Sequence, residues 1–298
     1  MNTSPVMTAW KFRCLTCVNL ALLAGGLSLG CVADLEIDTE EELGESAEKL
    51  TGWTYHSKGT TTDPTPVDIG SMDDRTCVLS GVAGNLSQGS RDGVGEPARA
   101  EVREDIGGRF TLRGHGGAHE GSAGEKIWYN NPVLATATCF FTTQNRGYGT
   151  QAADGTHIVA VGDSDGRRRC FLAALRGIDG AWSHPDDYAR VFPSGSNWWA
   201  GGEQHTSVLE ARFTSVCVDF PEGTVFTAGS ASALPGQTKT KVITSGTGIK
   251  GCGLTHVTGA FNNDSWTDGV IINPPSTIDG DWTITVSNGK AAMYTCAK

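Results

Sequence analysis

The chain has 298 residues, a formal net charge of −10 and 40 glycines. The only run of consecutive basic residues is Arg167–Arg169, so the sequence lacks the basic surface that nucleic-acid binding requires. Glycine is about twice as frequent as the usual ~7%, which favours a fold with many tight turns. We therefore expect no nucleic-acid partner, and no motif in the chain calls for a cofactor.

Residues 1–30 have the features of a targeting segment. Lys11 and Arg13 precede an apolar stretch that is shorter than the ~20 residues of a membrane-spanning helix. The segment ends in Ser28-Leu29-Gly30-Cys31, which resembles the lipobox of bacterial lipoproteins. This resemblance implies a lipid on Cys31 that anchors the mature chain to a membrane. Signal-peptidase cleavage near Ala33, followed by secretion, is the alternative.

Residues 31–50 follow the predicted lipidation site and are strongly acidic. They contain eight Asp and Glu residues against the single base Lys49. Like charges along such a segment repel one another and extend the chain. We therefore interpret 31–50 as a solvated tether that holds the following domain away from the membrane, with a short amphipathic helix as the alternative.

The rest of the chain contains one pattern three times. Each copy opens on a cysteine, followed by leucine two residues later, valine or leucine at five and glycine at seven. The openings are CVLSGVAG at Cys77, CFLAALRG at Cys170 and CGLTHVTG at Cys252. Recurrence of this kind marks a repeated supersecondary unit. We assign the repeats to residues 51–148, 149–233 and 234–298, with an insertion around 113–126 in the first.

Each repeat also closes on a cysteine, and the cysteine count supports this division. Of nine cysteines, Cys14 and Cys17 fall in the targeting segment and Cys31 carries the predicted lipid. Six cysteines allow 15 pairings in general. The repeats single out one pairing, which is Cys77–Cys139, Cys170–Cys217 and Cys252–Cys296. Disulfides persist outside the cytoplasm, so we expect a periplasmic, cell-surface or secreted protein.

Within the repeats the hydrophobic pattern has the period of two that is typical of strands. Trp282, Ile284 and Val286 alternate with polar residues, which places the three apolar side chains on one face. A glycine such as Gly259 marks a bulge or tight turn at a strand end. The pattern predicts an all-β fold of three homologous, disulfide-closed antiparallel units, either in a compact pseudo-threefold arrangement or as tandem small sheets.

Tryptophans are the leading candidates for a binding site. Phe110, Trp198 and Trp282 occupy matching places in the repeats, which favours core packing beside each disulfide. Side chains of adjacent strand residues point to opposite faces. We therefore expect Trp199 to face solvent when Trp198 is buried. The candidate ligand-binding residues are Trp199, Trp128, Tyr129 and Trp266, with one of the pair Trp128 and Tyr129 exposed.

Two catalytic alternatives stay open at this stage. Ser164 lies in a G-x-S-x-G pattern and could form a serine-hydrolase triad with Asp186 and His205. The chain lacks the alternating strands and helices of such hydrolases, which argues against an enzyme. His115 and His119 could bind a metal ion, although the glycines between them favour an exposed, flexible loop.

Cysteine-bracketed repeats with the CxLxxVxG opening and a later aromatic residue resemble those of secreted and tail-fibre-like bacterial proteins. The resemblance covers most of residues 66–298 and implies no particular activity. Three functions follow as expectations. The first is a surface-anchored, extracytoplasmic recognition protein that binds glycan or another envelope polymer. The others are a structural envelope lipoprotein without a small ligand and a secreted serine hydrolase.

Overall fold

The computed structural model of the chain describes residues 53–60, 65–90, 93–142, 147–152, 159–178, 180–205, 211–245, 248–277 and 280–298. The predicted targeting segment and the acidic tether lie outside these residues. The described residues form strands and no helix, which confirms the predicted all-β class. No membrane-spanning helix is therefore present in this part of the chain.

The strands follow the repeats in chain order. Repeat 1 contributes β1 (Trp53–Thr60), β2 (Val67–Ser71), β3 (Thr76–Gly84), β4 (Ala98–Glu104), β5 (Arg109–His115), β6 (Ala118–Glu120), β7 (Lys126–Trp128) and β8 (Val133–Phe140). Repeat 2 contributes β9 (Gly147–Ala152), β10 (Val159–Asp163), β11 (Arg168–Gly177), β12 (Tyr188–Ser194), β13 (Asn197–Glu203) and β14 (Arg212–Asp219). Repeat 3 contributes β15 (Phe226–Ser232), β16 (Thr238–Thr244), β17 (Gly251–Thr258), β18 (Gly269–Asn273), β19 (Trp282–Ser287) and β20 (Ala291–Ala297).

These strands form three antiparallel sheets of six strands, and each sheet is shared by two repeats. Sheet A has the order β1-β8-β3-β18-β19-β16, sheet B the order β2-β5-β4-β11-β14-β9, and sheet C the order β10-β13-β12-β17-β20-β15. In each sheet, three strands of one repeat lie beside three strands of the repeat before it, and one strand of each group pairs across the junction. The repeat before repeat 1 is repeat 3. The pairing scheme is therefore cyclic. Self-contained tandem sheets, one of the two expected arrangements, do not form, whereas a geometric threefold axis stays a prediction.

The three predicted disulfides are confirmed. Cys77 bonds to Cys139, Cys170 to Cys217, and Cys252 to Cys296. Each pair joins directly opposed residues on neighbouring strands, with Cα atoms 3.9 to 4.0 Å apart. Every bond therefore links the opening strand of its repeat to the closing strand. Three intramolecular disulfides are typical of extracytoplasmic proteins.

A β-bulge in each opening strand explains the spacing of the repeat motif. The pairing register shifts between Leu79 and Gly81, between Leu172 and Ala174, and between Leu254 and His256. A bulge inserts one extra residue on one strand. It therefore lets the leucine at position two and the branched residue at position five both enter the core, although a regular strand would place them on opposite faces.

The glycine that ends each motif permits a close approach of the backbone. A Cβ atom on Gly84 would lie 2.0 Å from the carbonyl oxygen of Pro132, and one on Gly177 would lie 2.1 Å from that of Leu86. Gly259 has a φ of 128°, and β17 ends one residue earlier, as the sequence predicted. A larger residue would therefore push the opening strand away from its neighbour at this point.

The main hydrophobic core contains the disulfides and the matched aromatic side chains. Phe110, Trp198 and Trp282 are all buried in it, as the repeat predicted. A second, smaller cluster surrounds Phe171, which lies 5.3 Å from Phe140 and 6.3 Å from Phe220 between ring centres. The opening strands of the three repeats contact one another here, so the repeats share buried surface as well as sheets.

The first repeat carries an extra hairpin, and two strands lie across the expected repeat boundaries. Strands β6 and β7 pair with each other in a separate two-stranded sheet and coincide with the predicted insertion around 113–126. Strand β15 pairs with β20, so strand pairing associates it with repeat 3 although residue 234 was the expected start. Strand β9 pairs with β14 and similarly begins two residues before the expected start of repeat 2.

Replacement of Trp282 by alanine should lower the free energy of unfolding by ~3–5 kcal/mol, because its side chain is 1% exposed and fills the core. Trp199→Ala is the matched control, since Trp199 is only half-buried, and it should cost about 1 kcal/mol or less. Urea denaturation of both variants measures the difference. Equal destabilisation would show that Trp199 also supports the core.

Candidate functional site

The hairpin of β12 and β13 presents a row of rings on the outer side of sheet C. Ala189 and Val191 of β12 are buried in the core. Because successive strand residues alternate between faces, Tyr188, Arg190 and Phe192 lie on the opposite face. We call this surface the aromatic face and define it as Tyr188, Arg190, Phe192, Trp199 and His256.

Arg190 lies between two rings of this face. Its guanidinium carbon is 4.5 Å from the ring centre of Phe192 and 5.2 Å from that of Tyr188. A cation over an aromatic ring contributes ~0.5–1 kcal/mol at exposed sites. The Nε of Arg190 is buried and has no hydrogen-bond partner among the described residues. The rings therefore hold the guanidinium in place, and at least one of its N–H donors is not used in a hydrogen bond within the described residues.

The neighbouring strand of repeat 3 extends the row. His256 on β17 pairs with Arg190, and its ring is 5.9 Å from that of Tyr188 in an edge-on arrangement. The His256 Nε2 and the Thr258 hydroxyl are 2.8 Å apart and hydrogen-bonded. Burial, with a smaller contribution from the positive charge of Arg190, lowers the pKa of His256 to about 4. The imidazole is therefore neutral at physiological pH.

Trp199 completes the aromatic face at the turn end of the hairpin. It pairs with Phe192, so the two side chains are cross-strand neighbours. The indole Nε1 donates to the carbonyl oxygen of Ser194 at 3.1 Å, which fixes the ring orientation. Trp198, as predicted, is buried and points the other way. Trp199 itself is half-buried rather than fully exposed.

An open groove of about 810 Å³ borders this hairpin, and Phe192 is the residue of the aromatic face that lines it. It begins where the pairing of β12 with β17 ends, at Arg190 and His256. Phe192 on one side and Met293 on the other give it apolar walls, and Asp165 and Arg169 lie among its polar lining residues. The Arg169 guanidinium stacks on Phe226, 3.7 Å from the ring centre. Rings flanked by polar groups suit a ligand with both apolar and hydroxyl-bearing surfaces.

Ser164 lines this groove, but the structure separates it from the other members of the suggested triad. Its backbone N–H donates to the Ser196 carbonyl at the turn between β12 and β13. Asp186 precedes β12, and His205 follows β13, so both lie at the opposite end of the hairpin. Seven strand residues span about 20 Å. Ser164, Asp186 and His205 are therefore not assembled into a catalytic triad.

The structure does bring together four other candidates, which lie at the extra hairpin of repeat 1. The ring centres of His115 and Trp128 are 5.3 Å apart, and those of His119 and Tyr129 are 4.8 Å apart. Both aromatic residues are half-buried, so neither member of the pair is the fully exposed one that strand alternation predicted. Each is instead packed against a histidine.

His115 is buried, which corrects the expectation of an exposed, flexible loop. The glycines support close packing here, since a Cβ atom on Gly116 would lie 2.5 Å from the Asn131 carbonyl oxygen. The Gly117 N–H donates to His115 Nδ1 at 3.3 Å. Burial, followed by the charge of Arg99, lowers the pKa of His115 to about 3. No third histidine, cysteine or carboxylate joins His115 and His119 in a metal-binding group within the described residues.

A charged network that sequence reasoning missed lies beside this hairpin on sheet B. Buried Glu101 accepts hydrogen bonds from Arg176 and, at 3.3 Å, from Arg99. The Nε atoms of Arg99, Arg113 and Arg176 are buried without a partner in the part of the chain that the structure describes. The alternation of Arg99, Glu101 and Arg103 in the sequence was a signal that an outer sheet face carries charge.

Trp266, the last predicted ligand-binding residue, lies on a different sheet. It precedes β18 and is 38% exposed. Its ring covers Gly59, where a Cβ atom would meet it at 2.6 Å, and that position also lies 3.3 Å from Leu134. The four predicted aromatic residues therefore do not form one continuous surface, and Trp199 is the member of the aromatic face.

Comparison with known proteins adds no family to this description. No protein-family model matches the chain, and no curated protein matches it. The functional assignment therefore depends on the residues and the geometry above.

Acidification should destabilise the protein between pH 6.5 and about 4. An unfolded histidine takes up a proton near pH 6.5, whereas folded His256 does so only near 4, so protonation favours the unfolded chain in this window. His115, with its pKa of about 3, adds to the loss. In His256→Gln the free energy of unfolding, measured by urea denaturation, should fall less from neutral pH to pH ~4.5. An unchanged slope would contradict the burial of a neutral His256.

Proposed function

We propose that this chain is an extracytoplasmic recognition protein that binds a glycan or another polymer of the cell envelope through its aromatic face. The observation that carries the proposal is the fixed row of Trp199, Phe192, Arg190 and Tyr188, which meets an open groove at Phe192. Each ring is held by strand pairing or by a contact with its neighbour. A rigid surface of this kind loses little conformational entropy when it binds.

The chemistry of the aromatic face suits a sugar. The apolar C–H faces of sugar rings stack on flat aromatic side chains, and tryptophan offers the largest rigid area for such contact. The Arg190 guanidinium, held between Phe192 and Tyr188, is placed to donate to ring hydroxyls or to carboxylates. The groove beside Phe192 is open to solvent, which suits a ligand larger than a single sugar.

The location of the protein is part of the same proposal. Extracytoplasmic residence is supported by the three disulfides. We propose in addition that Cys31 carries a lipid and that residues 31–50 form a tether between the membrane and the β domain. This arrangement would present the aromatic face to polymers near the membrane surface. A structural envelope lipoprotein without a small ligand would share the fold and differ only by the absence of binding.

A serine hydrolase is not proposed, because Ser164 and His205 lie at opposite ends of the β12–β13 hairpin. General-base catalysis requires the two side chains within hydrogen-bond reach.

Glycan-array screening of the full chain should identify a polymer ligand, and Trp199→Ala should weaken its binding about tenfold or more, since stacking on one aromatic anchor contributes ~1–3 kcal/mol. The matched control is Trp266→Ala, which removes an exposed tryptophan from another sheet and should leave the affinity unchanged. Isothermal titration with the identified glycan measures both. Equal losses in the two variants, or no ligand in the screen, would favour the structural lipoprotein.

Replacement of Cys31 by serine should abolish lipidation and release the chain from the membrane fraction, because the hydroxyl cannot form the thioether. Metabolic labelling with a radioactive fatty acid and fractionation of cells measure the change. Cys14→Ser, which alters a cysteine within the targeting segment, is the matched control and should still be labelled. Labelling of the Cys31→Ser protein would contradict the proposed anchor.

A further inference from the structure

We propose that His184, Asp186 and His205 form a binding site for a divalent transition-metal ion of the zinc type. One nitrogen or carboxylate oxygen from each residue lies within 4.8 Å of the others. The two imidazole rings are stacked with their centres 4.7 Å apart. The site lies at the end of the β12–β13 hairpin that is far from Ser164, and it is independent of the proposed glycan recognition.

A buried carboxylate holds the two histidine-bearing segments together. Asp187 is fully buried and accepts the backbone N–H of His184 at 3.0 Å and that of His205 at 2.8 Å. One segment precedes β12 and the other follows β13, so this carboxylate bridges both strands of the hairpin. Its backbone is fixed in turn, since the Gly259 N–H donates to the Asp187 carbonyl. The two histidine-bearing segments are therefore held side by side by the fold before any ion binds.

Asp187 also orients the His205 ring. Its Oδ1 lies 3.4 Å from His205 Nδ1, which leaves Nε2 directed away from the carboxylate. Zinc-binding histidines usually have a carboxylate on the ring nitrogen that does not bind the metal. The Glu203 carboxylate lies 3.8 Å from His205 Nε2 and offers an additional oxygen near the site.

His184 and Asp186 provide the other ligands. His184 Nδ1 accepts the Asp186 N–H at 3.2 Å, which uses the lone pair of that nitrogen, so Nε2 is the His184 atom left to bind an ion. Tetrahedral zinc, with bonds of ~2.0–2.1 Å, needs ligand atoms about 3.3 Å apart. The candidate ligand atoms lie within 4.8 Å of one another, and rotation of the exposed side chains can bring them to this spacing. Two imidazoles and one carboxylate select zinc-like ions over calcium and magnesium, which prefer oxygen ligands only.

Repeat 3 shows what the same position does without such ligands. Asp268 immediately precedes β18, as Asp187 precedes β12, and both carboxylates are buried. Asp268 forms an ion pair with buried Lys290 at 2.5 Å. In repeat 3 the carboxylate thus pairs with a cation of the chain itself. In repeat 2 the equivalent carboxylate, that of Asp187, contacts His205, whose exposed ring faces His184 and Asp186. The buried carboxylate therefore has a structural role in both repeats, and repeat 2 has metal ligands in addition.

Isothermal titration of the full chain, prepared without a histidine tag and with its disulfides formed, tests the site. We expect one zinc ion per chain with a micromolar Kd or tighter, and no binding of calcium. His184→Ala and His205→Ala should each weaken zinc binding about tenfold or more. Zinc should also raise the melting temperature of the wild-type chain but not of these variants.

His119→Ala is the matched control, because it removes a half-buried histidine that lies outside the site, and it should retain wild-type affinity. Circular dichroism without metal checks that all variants fold. Three results would overturn the proposal: no saturable binding at millimolar zinc, undiminished affinity in folded His184→Ala and His205→Ala proteins, or loss of affinity in His119→Ala.

Discussion

The structure depends on one packing constraint, the contact between the three opening strands. A Cβ atom on Gly253 would lie 2.6 Å from Val78 Cγ2 and 2.7 Å from Phe171 Cδ1. Each of these residues immediately follows the opening cysteine of its repeat. The large side chain of Phe171 and the smaller one of Val78 therefore fill the space that Gly253 leaves empty. A side chain at Gly253 would force the strands apart. The repeats are similar in their motif but complementary where they meet.

The sharing of sheets between repeats accompanies this constraint. The opening strand has one face on the contact with the other repeats and one face on its own core, and one of its edges pairs with a strand of the previous repeat. The cross-repeat pairing is short, from Tyr188 to Arg190 in sheet C and from Gly269 to Ile271 in sheet A. Each disulfide closes the repeat that supplies the opening strand, at a cysteine four residues before the first residue of this junction. Short pairing and covalent closure together hold a cyclic arrangement that no single repeat could form alone.

The sequence predicted the parts of this fold that depend on local pattern. The disulfide partners and the buried Trp198 and Trp282 followed from repetition and from strand alternation. The bulge did not, because the odd spacing of Leu254 and Val257 is compatible with either a bulge or a reversal of faces, and only the paired strand decides between them. Sheet sharing is likewise invisible in one repeat. The burial of His115 was missed because its glycine neighbours permit close packing as readily as flexibility.

Function is expected where the repeats are free to differ. The core positions recur, whereas the outer positions differ. At the residue that pairs with the sixth residue after the opening cysteine, sheet B has Arg99, sheet C has Tyr188 and sheet A has Gly269. One scaffold therefore presents an arginine, a tyrosine and a glycine at three equivalent places. Two of the proposed metal ligands flank Tyr188, since Asp186 precedes it by two residues and His205 follows its partner strand. An ion bound there would fasten the end of the hairpin that carries the aromatic face, so a single hairpin of repeat 2 would combine recognition with its own support.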